Sequence, residues 1–190
     1  MPPSGNGTSI CGIKNVTACA QVDSTEKRLG TLAGKTVLDI GCNDGSLLDI
    51  FRAKGAVPVG LEPTGAFADA ENKGHRRIYN SFFSKEAAEE ILKSHGRPDV
   101  ITMTNVFAHI ESLDEALMAL KPLMSPTTAL VIENHYLGSI LDGNQFDTFY
   151  HEHPRSYSCS SFAAIAKRLE TNVQDVEFPS RYGGNIRVFL

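Results

Sequence analysis

The sequence predicts an α/β fold in which a mostly parallel sheet carries helices on both faces and ends in an antiparallel C-terminal strand. Three observations predict it. From Lys35 onward, short β-rich runs alternate with helical patterns, the signature of strands joined by crossover helices. The first run passes into its helix through a glycine-containing turn, Asp39-Ile40-Gly41-Cys42-Asn43-Asp44-Gly45. A chain of 190 residues with 42% hydrophobic content can bury one substantial core, so a single domain is expected over residues 35–190, preceded by a flexible or helical extension over 1–34.

Residues 36–40 form the first strand candidate, and 46–52 carry apolar residues at helical spacing until Gly55 closes the helix. A second strand over 57–61 ends at Glu62-Pro63, a short helix is expected over 65–72, and 77–79 read as a third strand. Ser84 can cap the next helix, because its hydroxyl accepts a hydrogen bond from an otherwise orphan amide; that helix stops near Gly96. The fourth strand covers 99–104, and Ser112 with Glu115 has the spacing of a capping box for a helix reaching Leu123. The fifth strand covers 128–133. From 135 to 158 periodicity disappears, yet aromatic, histidine and acidic residues are abundant, which marks a functional loop and argues against disorder. A helix over 161–169 precedes two strand-like runs, 173–178 and 185–190.

The net charge of −4 offers no positive field to nucleic acid or to an anionic membrane surface. No apolar run approaches the roughly 20 residues that cross a bilayer, and residues 1–8 lack the basic-then-apolar pattern of a secretory signal. A small-molecule partner and a cytoplasmic location are expected. Cys11, Cys19, Cys42 and Cys159 contain no CxxC pair, which points to free thiols and to no metal site.

In a doubly wound sheet the ligand sits beyond the carboxyl ends of the strands, where the first strand turns into the first helix. Gly41 and Gly45 let the backbone approach a ligand closely, and Asp39 can accept from an ammonium or a hydroxyl, which favours a cationic amino-acid ligand. A dinucleotide fingerprint would need a second glycine where Asn43 stands, and Asp44 would meet the phosphates. Glu62 follows Asp39 at close to the roughly 20-residue spacing of a carboxylate that grips ribose hydroxyls.

The run Val37-Leu38-Asp39-Ile40-Gly41-Cys42-Asn43-Asp44-Gly45-Ser46 resembles the first motif of class I S-adenosylmethionine-dependent methyltransferases. The resemblance implies a Rossmann-like fold and S-adenosyl-L-methionine as cofactor, with S-adenosyl-L-homocysteine as product. It assigns the methionine part to Asp39 and the loop Gly41, Cys42, Asn43 and Gly45, and the ribose to Glu62. Ser81 and Phe82 would lie beside the adenine, although Phe82 and Phe83 read equally as core residues. Asn105 would sit between cofactor and substrate. Cys42 reads as a small packing residue with no role as a nucleophile.

A narrower resemblance rests on Asn105-Val106-Phe107-Ala108-His109-Ile110 together with Tyr150-His151-Glu152-His153, which is similar to the sugar C-methyltransferases. That family methylates carbon 3 of nucleotide-linked 4-keto-6-deoxy sugars in antibiotic sugar biosynthesis. Carbon becomes nucleophilic only after a proton leaves next to a carbonyl, so such a site needs a base near neutrality and donors for the enolate oxygen. The resemblance makes His153 the base, Tyr150 and Glu152 the groups that orient it or the sugar, and Asn105 a donor to the keto oxygen. His109 and His135 read as element-end residues, Tyr150 and Tyr157 as possible covers for the sheet edge, and Arg155, Arg181 and Arg187 as either diphosphate ligands or solvated charges. Full members of that family resemble a three-part chain, with a cysteine-rich zinc segment before the core and a second α/β domain after it; neither pattern stands in these residues, so the core domain alone is expected. Two other readings stay open: an O- or N-methyltransferase of another small metabolite, and a catalytically silent cofactor-binding module.

Overall fold

The computed structural model describes residues 16–190. Residues 1–15, Cys11 among them, lie outside the described residues. In chain order the elements are α1 (Val16–Leu29), β1 (Thr36–Ile40), α2 (Ser46–Ala53), β2 (Val57–Leu61), α3 (Ala66–Asn72), β3 (Ile78–Tyr79), α4 (Lys85–His95), β4 (Val100–Thr104), α5 (Leu113–Leu123), β5 (Ala129–His135), α6 (Leu137–Asp142), α7 (Cys159–Arg168), β6 (Asp175–Glu177) and β7 (Asn185–Phe189). Single 3-10 turns stand at Phe107–His109, Phe146–Thr148 and Arg181–Gly183.

The strands form one sheet in the order β3-β2-β1-β4-β5-β7-β6. Its pairs are parallel except those made by β7, which runs antiparallel to both β5 and β6. The expected fold class is therefore the observed one. β1, β4 and β5 are buried along nearly their whole length, as central strands between two helical layers must be. Alternate residues feed two cores. Leu38, Ile101, Ile132 and Val188 pack with α4, α5 and α7, while Val37, Val100, Val131 and Phe189 pack with Val22 of α1 and Phe51 of α2. Strand order reverses between β1 and β4, so the crevice for a ligand opens beyond Ile40 and Thr104.

Several elements differ from the sequence reading. β5 runs to His135, because Glu133, Asn134 and His135 pair with Arg187, Ile186 and Asn185 of β7. The stretch 135–158, expected as a loop, contains α6, whose single buried residue, Ile140, is too little for a periodic signal. α7 begins at Cys159, where Ser158 and Ser161 make a reciprocal capping box. At α5 only half of the expected box forms: the Glu115 amide donates to Ser112 Oγ at 3.4 Å. Helix α1 is hidden in the sequence because two of its three buried residues, Gln21 and Thr25, are polar.

The free-thiol expectation holds for Cys42 and Cys159. It fails for Cys19, which is disulfide-bonded; spacing along a chain says nothing about which thiols the fold brings together.

Candidate active site

The turn after β1 is shaped by packing as much as by any ligand. Gly41 and Gly45 both have φ of 74°, and a Cβ on Gly41 would stand 2.3 Å from Val106 Cγ2. A Cβ on Gly45 would stand 2.7 Å from Cδ2 of His75, a buried imidazole under the turn. Gly45 is needed for that ring and does not itself line the cavity. Asn43 and Asn105, at the ends of β1 and β4, also adopt positive φ, 51° and 55°. Asparagine tolerates this region because its short polar side chain can compensate locally.

These strand ends enclose a cavity of about 1040 Å³, at the upper end of the roughly 300–1,000 Å³ usual for small-molecule sites. Asp39, Gly41, Cys42, Asn43, Glu62 and Asn105 line it, and Phe82 and Phe83 form an aromatic wall. Phe82 is 79% exposed, which rules out the core-packing reading for that residue; Phe83 packs partly against the core. Ser81 does not reach the lining. Helix α1 contributes Thr17, Ala18 and Gln21, which the sequence reading did not single out; the buried Gln21 exchanges hydrogen bonds with Thr104 Oγ1 at 3.1 and 3.2 Å.

The electrostatics are one-sided. Asp39 is 2% exposed and accepts from Thr102 Oγ1 at 2.6 Å. Burial pushes its carboxyl up to about 7, against the Thr102 hydrogen bond and with a further push from Glu62. Glu62 is also buried; one oxygen accepts from the Asn43 amide and the other from the Thr64 amide, each at 2.9 Å, which locks the loops after β1 and β2 to one carboxylate. Among the described residues, no cation lies within ion-pair distance of either group. Two buried carboxylates without a counter-ion are costly unless a ligand supplies positive charge. At the start of α2, Asp44 accepts from the Ser46 amide at 3.1 Å and so fills the place where a pyrophosphate would bind. Partial burial raises the Asp44 carboxyl, but Lys73 and Ser46 outweigh it and hold it below the usual range. Cys42 is buried against Gly60, and burial pushes its thiol far up, so it stays protonated.

Tyr150, Glu152 and His153 do not line the cavity themselves; His109 connects them to it. The His109 and His153 rings lie 4.6 Å apart, and the Tyr150 ring stands 4.4 Å from His153. His109 Nδ1 is 2.9 Å from the Glu152 carbonyl and His153 Nδ1 is 3.1 Å from the Thr148 carbonyl. A carbonyl can only accept, so both rings carry their proton on Nδ1 when neutral and keep a lone pair on Nε2. That of His153 faces the Tyr150 hydroxyl at 3.3 Å. The Glu152 carboxylate points to solvent, and only its main chain serves the cluster. His109, set aside in the sequence reading, is thus the imidazole that reaches the cavity. Among the described residues, no group of three or more His, Cys, Asp or Glu could hold a metal ion.

The three arginines separate clearly. Arg187 is buried with Glu133, its Nε donating to Oε2 at 2.7 Å. Arg155 donates to the carbonyls of Ile110 and Glu111 at 2.6 and 2.9 Å and so braces the cavity wall. Arg181 lines the cavity, its guanidinium 4.6 Å above the Tyr182 ring. Tyr157 is core: burial pushes its hydroxyl up to about 12, and it donates to the Phe107 carbonyl.

Room for a nucleoside, an aromatic wall, and carboxylates awaiting positive charge fit a sulfonium-bearing amino-acid nucleoside, and with the sheet order they define a class: an S-adenosylmethionine-dependent methyltransferase domain. Comparison with known proteins agrees. A methyltransferase domain model matches residues 17–176, and the chain belongs to that family. It is 33% identical over 168 residues to the C-methyltransferase NovU of Streptomyces niveus, a match that covers 88% of this chain and 40% of NovU. It is 26% identical over 115 residues to the ubiquinone biosynthesis O-methyltransferase of Rhodopseudomonas palustris strain BisA53, covering 60% of this chain and 46% of that enzyme. The chain thus spans less than half the length of these relatives. Among solved structures, the magnesium protoporphyrin IX methyltransferase of Synechocystis PCC 6803 with bound S-adenosylhomocysteine superposes with a TM-score of 0.66 at 17% identity, covering 91% of this chain and 81% of that one. The putative methyltransferase complexed with the Haloferax volcanii Trm112 activator gives 0.67 at 13% identity, covering 93% and 91%. These two show the shared fold. No helix among the described residues is long and apolar enough to cross a membrane.

Proposed function

We propose that this domain methylates a carbon next to a ketone in a nucleotide-linked deoxy sugar, by way of an enolate, as a step of antibiotic sugar formation. When bound, the cofactor supplies an electrophilic methyl group; Asp39 holds its ammonium end, Glu62 its ribose and Phe82 its adenine. The protein's remaining task is to create the carbon nucleophile and keep it in line. His153 takes the proton onto Nε2, where Tyr150 now donates, and the His109 ring, tilted against it at 4.6 Å, carries the second Nε2 lone pair to the cavity lining. Asn105 donates to the enolate oxygen, and Arg181 takes the diphosphate. Glu152 acts through its carbonyl, which fixes the His109 tautomer.

The observation that carries this reading is the pair of adjoining imidazoles with Nδ1 committed to main-chain carbonyls and Nε2 left as an acceptor, one of them, His109, lining the cavity. Methylation of an oxygen needs no carbon acid to be deprotonated; a carbon acceptor does. The similarity to NovU supports the carbon reading, and the ubiquinone-enzyme match supports an oxygen acceptor. Incubation with a deoxythymidine-diphosphate-linked 4-keto-6-deoxy sugar and S-adenosylhomocysteine in D₂O separates them. Deuterium should enter the carbon next to the ketone, and replacing His153 or His109 should show which ring is the first acceptor. No deuterium, together with methyl transfer to a hydroxyl, would defeat the carbon reading.

A further inference from the structure

One buried side chain is only half satisfied. Asn185, the first residue of β7, is fully buried, and its Oδ1 has no hydrogen-bond partner among the described residues. An unpaired buried acceptor costs stability, so the rest of the group should repay it. Its Nδ2 supplies two donors, one to Glu133 Oε1 at 2.9 Å and one to Asn105 Oδ1 at 3.3 Å. The first contact fixes how the amide is turned, because a carboxylate can only accept. The second then fixes Asn105: with Oδ1 facing Asn185, its Nδ2 is left as the polar end available to the cavity that Asn105 lines. Glu133 is held in turn by Arg187, which also donates to Glu177 Oε2 at 2.7 Å, and the Glu133 carbonyl accepts the Asn105 amide at 2.7 Å. The backbone of Asn105 is thus tied to Glu133 directly, and its side chain through Asn185.

We propose that Asn185 is a positioning residue for methyl transfer: anchored by the buried Glu133–Arg187 pair, it sets the amide of Asn105 so that an N–H and not an oxygen faces the developing enolate. Turned the other way, Asn105 would present a lone pair to a negative charge. The glycines before Asn185 make this placement feasible. Gly184 has φ of 132° and its would-be Cβ falls 2.3 Å from Ser139 Oγ, so only glycine lets the chain turn tightly against α6 into β7.

The proposal rests on the reading of Asn105 as the enolate donor, and its test has one arm independent of that reading. In the chain saturated with S-adenosylhomocysteine, the side-chain amide ¹⁵N–¹H signals of Asn185 should move in Asn105→Ala and in Glu133→Gln, and the Asn105 amide signals should broaden or split in Asn185→Ser. Asn185→Ser keeps one donor for Glu133 and protects folding where Asn185→Ala does not. Unmoved Asn185 signals in Asn105→Ala would overturn the proposal whatever the acceptor. The second arm follows methyl transfer to the 4-keto-6-deoxy sugar nucleotide. Asn105→Ala should lower kcat roughly 100- to 1,000-fold, as loss of one oxyanion donor does. Asn185→Ser should lower kcat roughly tenfold with KM and S-adenosylhomocysteine affinity nearly unchanged, and the double variant should be no slower than Asn105→Ala alone. Multiplying losses, or a loss seen mainly in KM, would show Asn185 to be merely structural. Coupled amide signals without sugar turnover in the unaltered chain would leave the placement standing and remove the acceptor assigned above.

Discussion

The turn after β1 and the segment that carries Tyr150 and His153 are built on opposite plans. The turn is fixed before any ligand arrives. Its glycines are wedged against Val106 and His75, and its Asn43 amide is tied to the Glu62 carboxylate. The Tyr150 segment is held by few local contacts, such as the His153 amide on the Tyr150 carbonyl at 2.9 Å, and it leaves Phe146, Phe149 and Tyr150 substantially exposed. The difference teaches where each kind of precision lives. On the proposed reading, cofactor geometry is stored in backbone conformation, whereas acceptor chemistry depends on side chains joined to the cavity through His109, by its ring contact with His153 and its hydrogen bond to the Glu152 carbonyl.

Four substitutions or conditions would break or sharpen that contrast. The largest effect is expected for His153→Ala: turnover of the carbon acceptor should fall roughly 100- to 10,000-fold, the range of general base catalysis, while calorimetric affinity for S-adenosylhomocysteine stays within about twofold. A large loss of cofactor affinity there would show that the two regions are not separable. Asp39→Asn should do the reverse, weakening S-adenosylhomocysteine binding by about 3 kcal/mol, or about a hundredfold, because the ligand's ammonium loses its charged partner.

Gly45→Ala comes next. The positive φ alone costs roughly 1–2 kcal/mol, and the clash with the His75 ring adds to it, so the thermal midpoint should drop. His75→Ala in the same chain should recover part of that drop, and no recovery would show that strain in φ alone is responsible. The smallest effect is in pH. With its carboxyl raised to about 7 by burial, Asp39 is mostly protonated at pH 6 in the ligand-free chain, and binding a cation must expel that proton. Affinity for S-adenosylhomocysteine should therefore rise up to about tenfold between pH 6 and pH 8 and level off above. The ligand-free fold moves the other way: the unfolded chain ionises this group first, so Asp39's contribution to stability, complete in acid, is lost as pH rises to about 7. Affinity flat across that range would mean that Asp39 is ionised already.

The contrast also marks what could be read from the sequence. That Asp39, Gly41 and Glu62 would line the cavity was legible because strand, turn and helix succeed one another locally. Helix α1 was legible only as one of two alternatives, since two of its three buried residues are polar and one of them, Gln21, is bonded to Thr104, far along the chain. His109 does end an element, the 3-10 turn Phe107–His109, but its place in the cavity lining and its tautomer, fixed by the Glu152 carbonyl, depend on residues far along the chain. Arg187 reads in the sequence as either a diphosphate ligand or a solvated charge, and it is neither, because β7 buries it opposite Glu133.

By itself the sequence determined the order of the elements from β1 to β5, the doubly wound α/β class and the glycine turn, because hydrophobic periodicity and local turn chemistry are properties of neighbouring residues. Only the tertiary structure decided which side chains share the cavity, which histidine reaches it and how Asn105 is held. Those contacts join residues that stand far apart in the chain, and pairing across the sheet, not spacing along the backbone, brings them together.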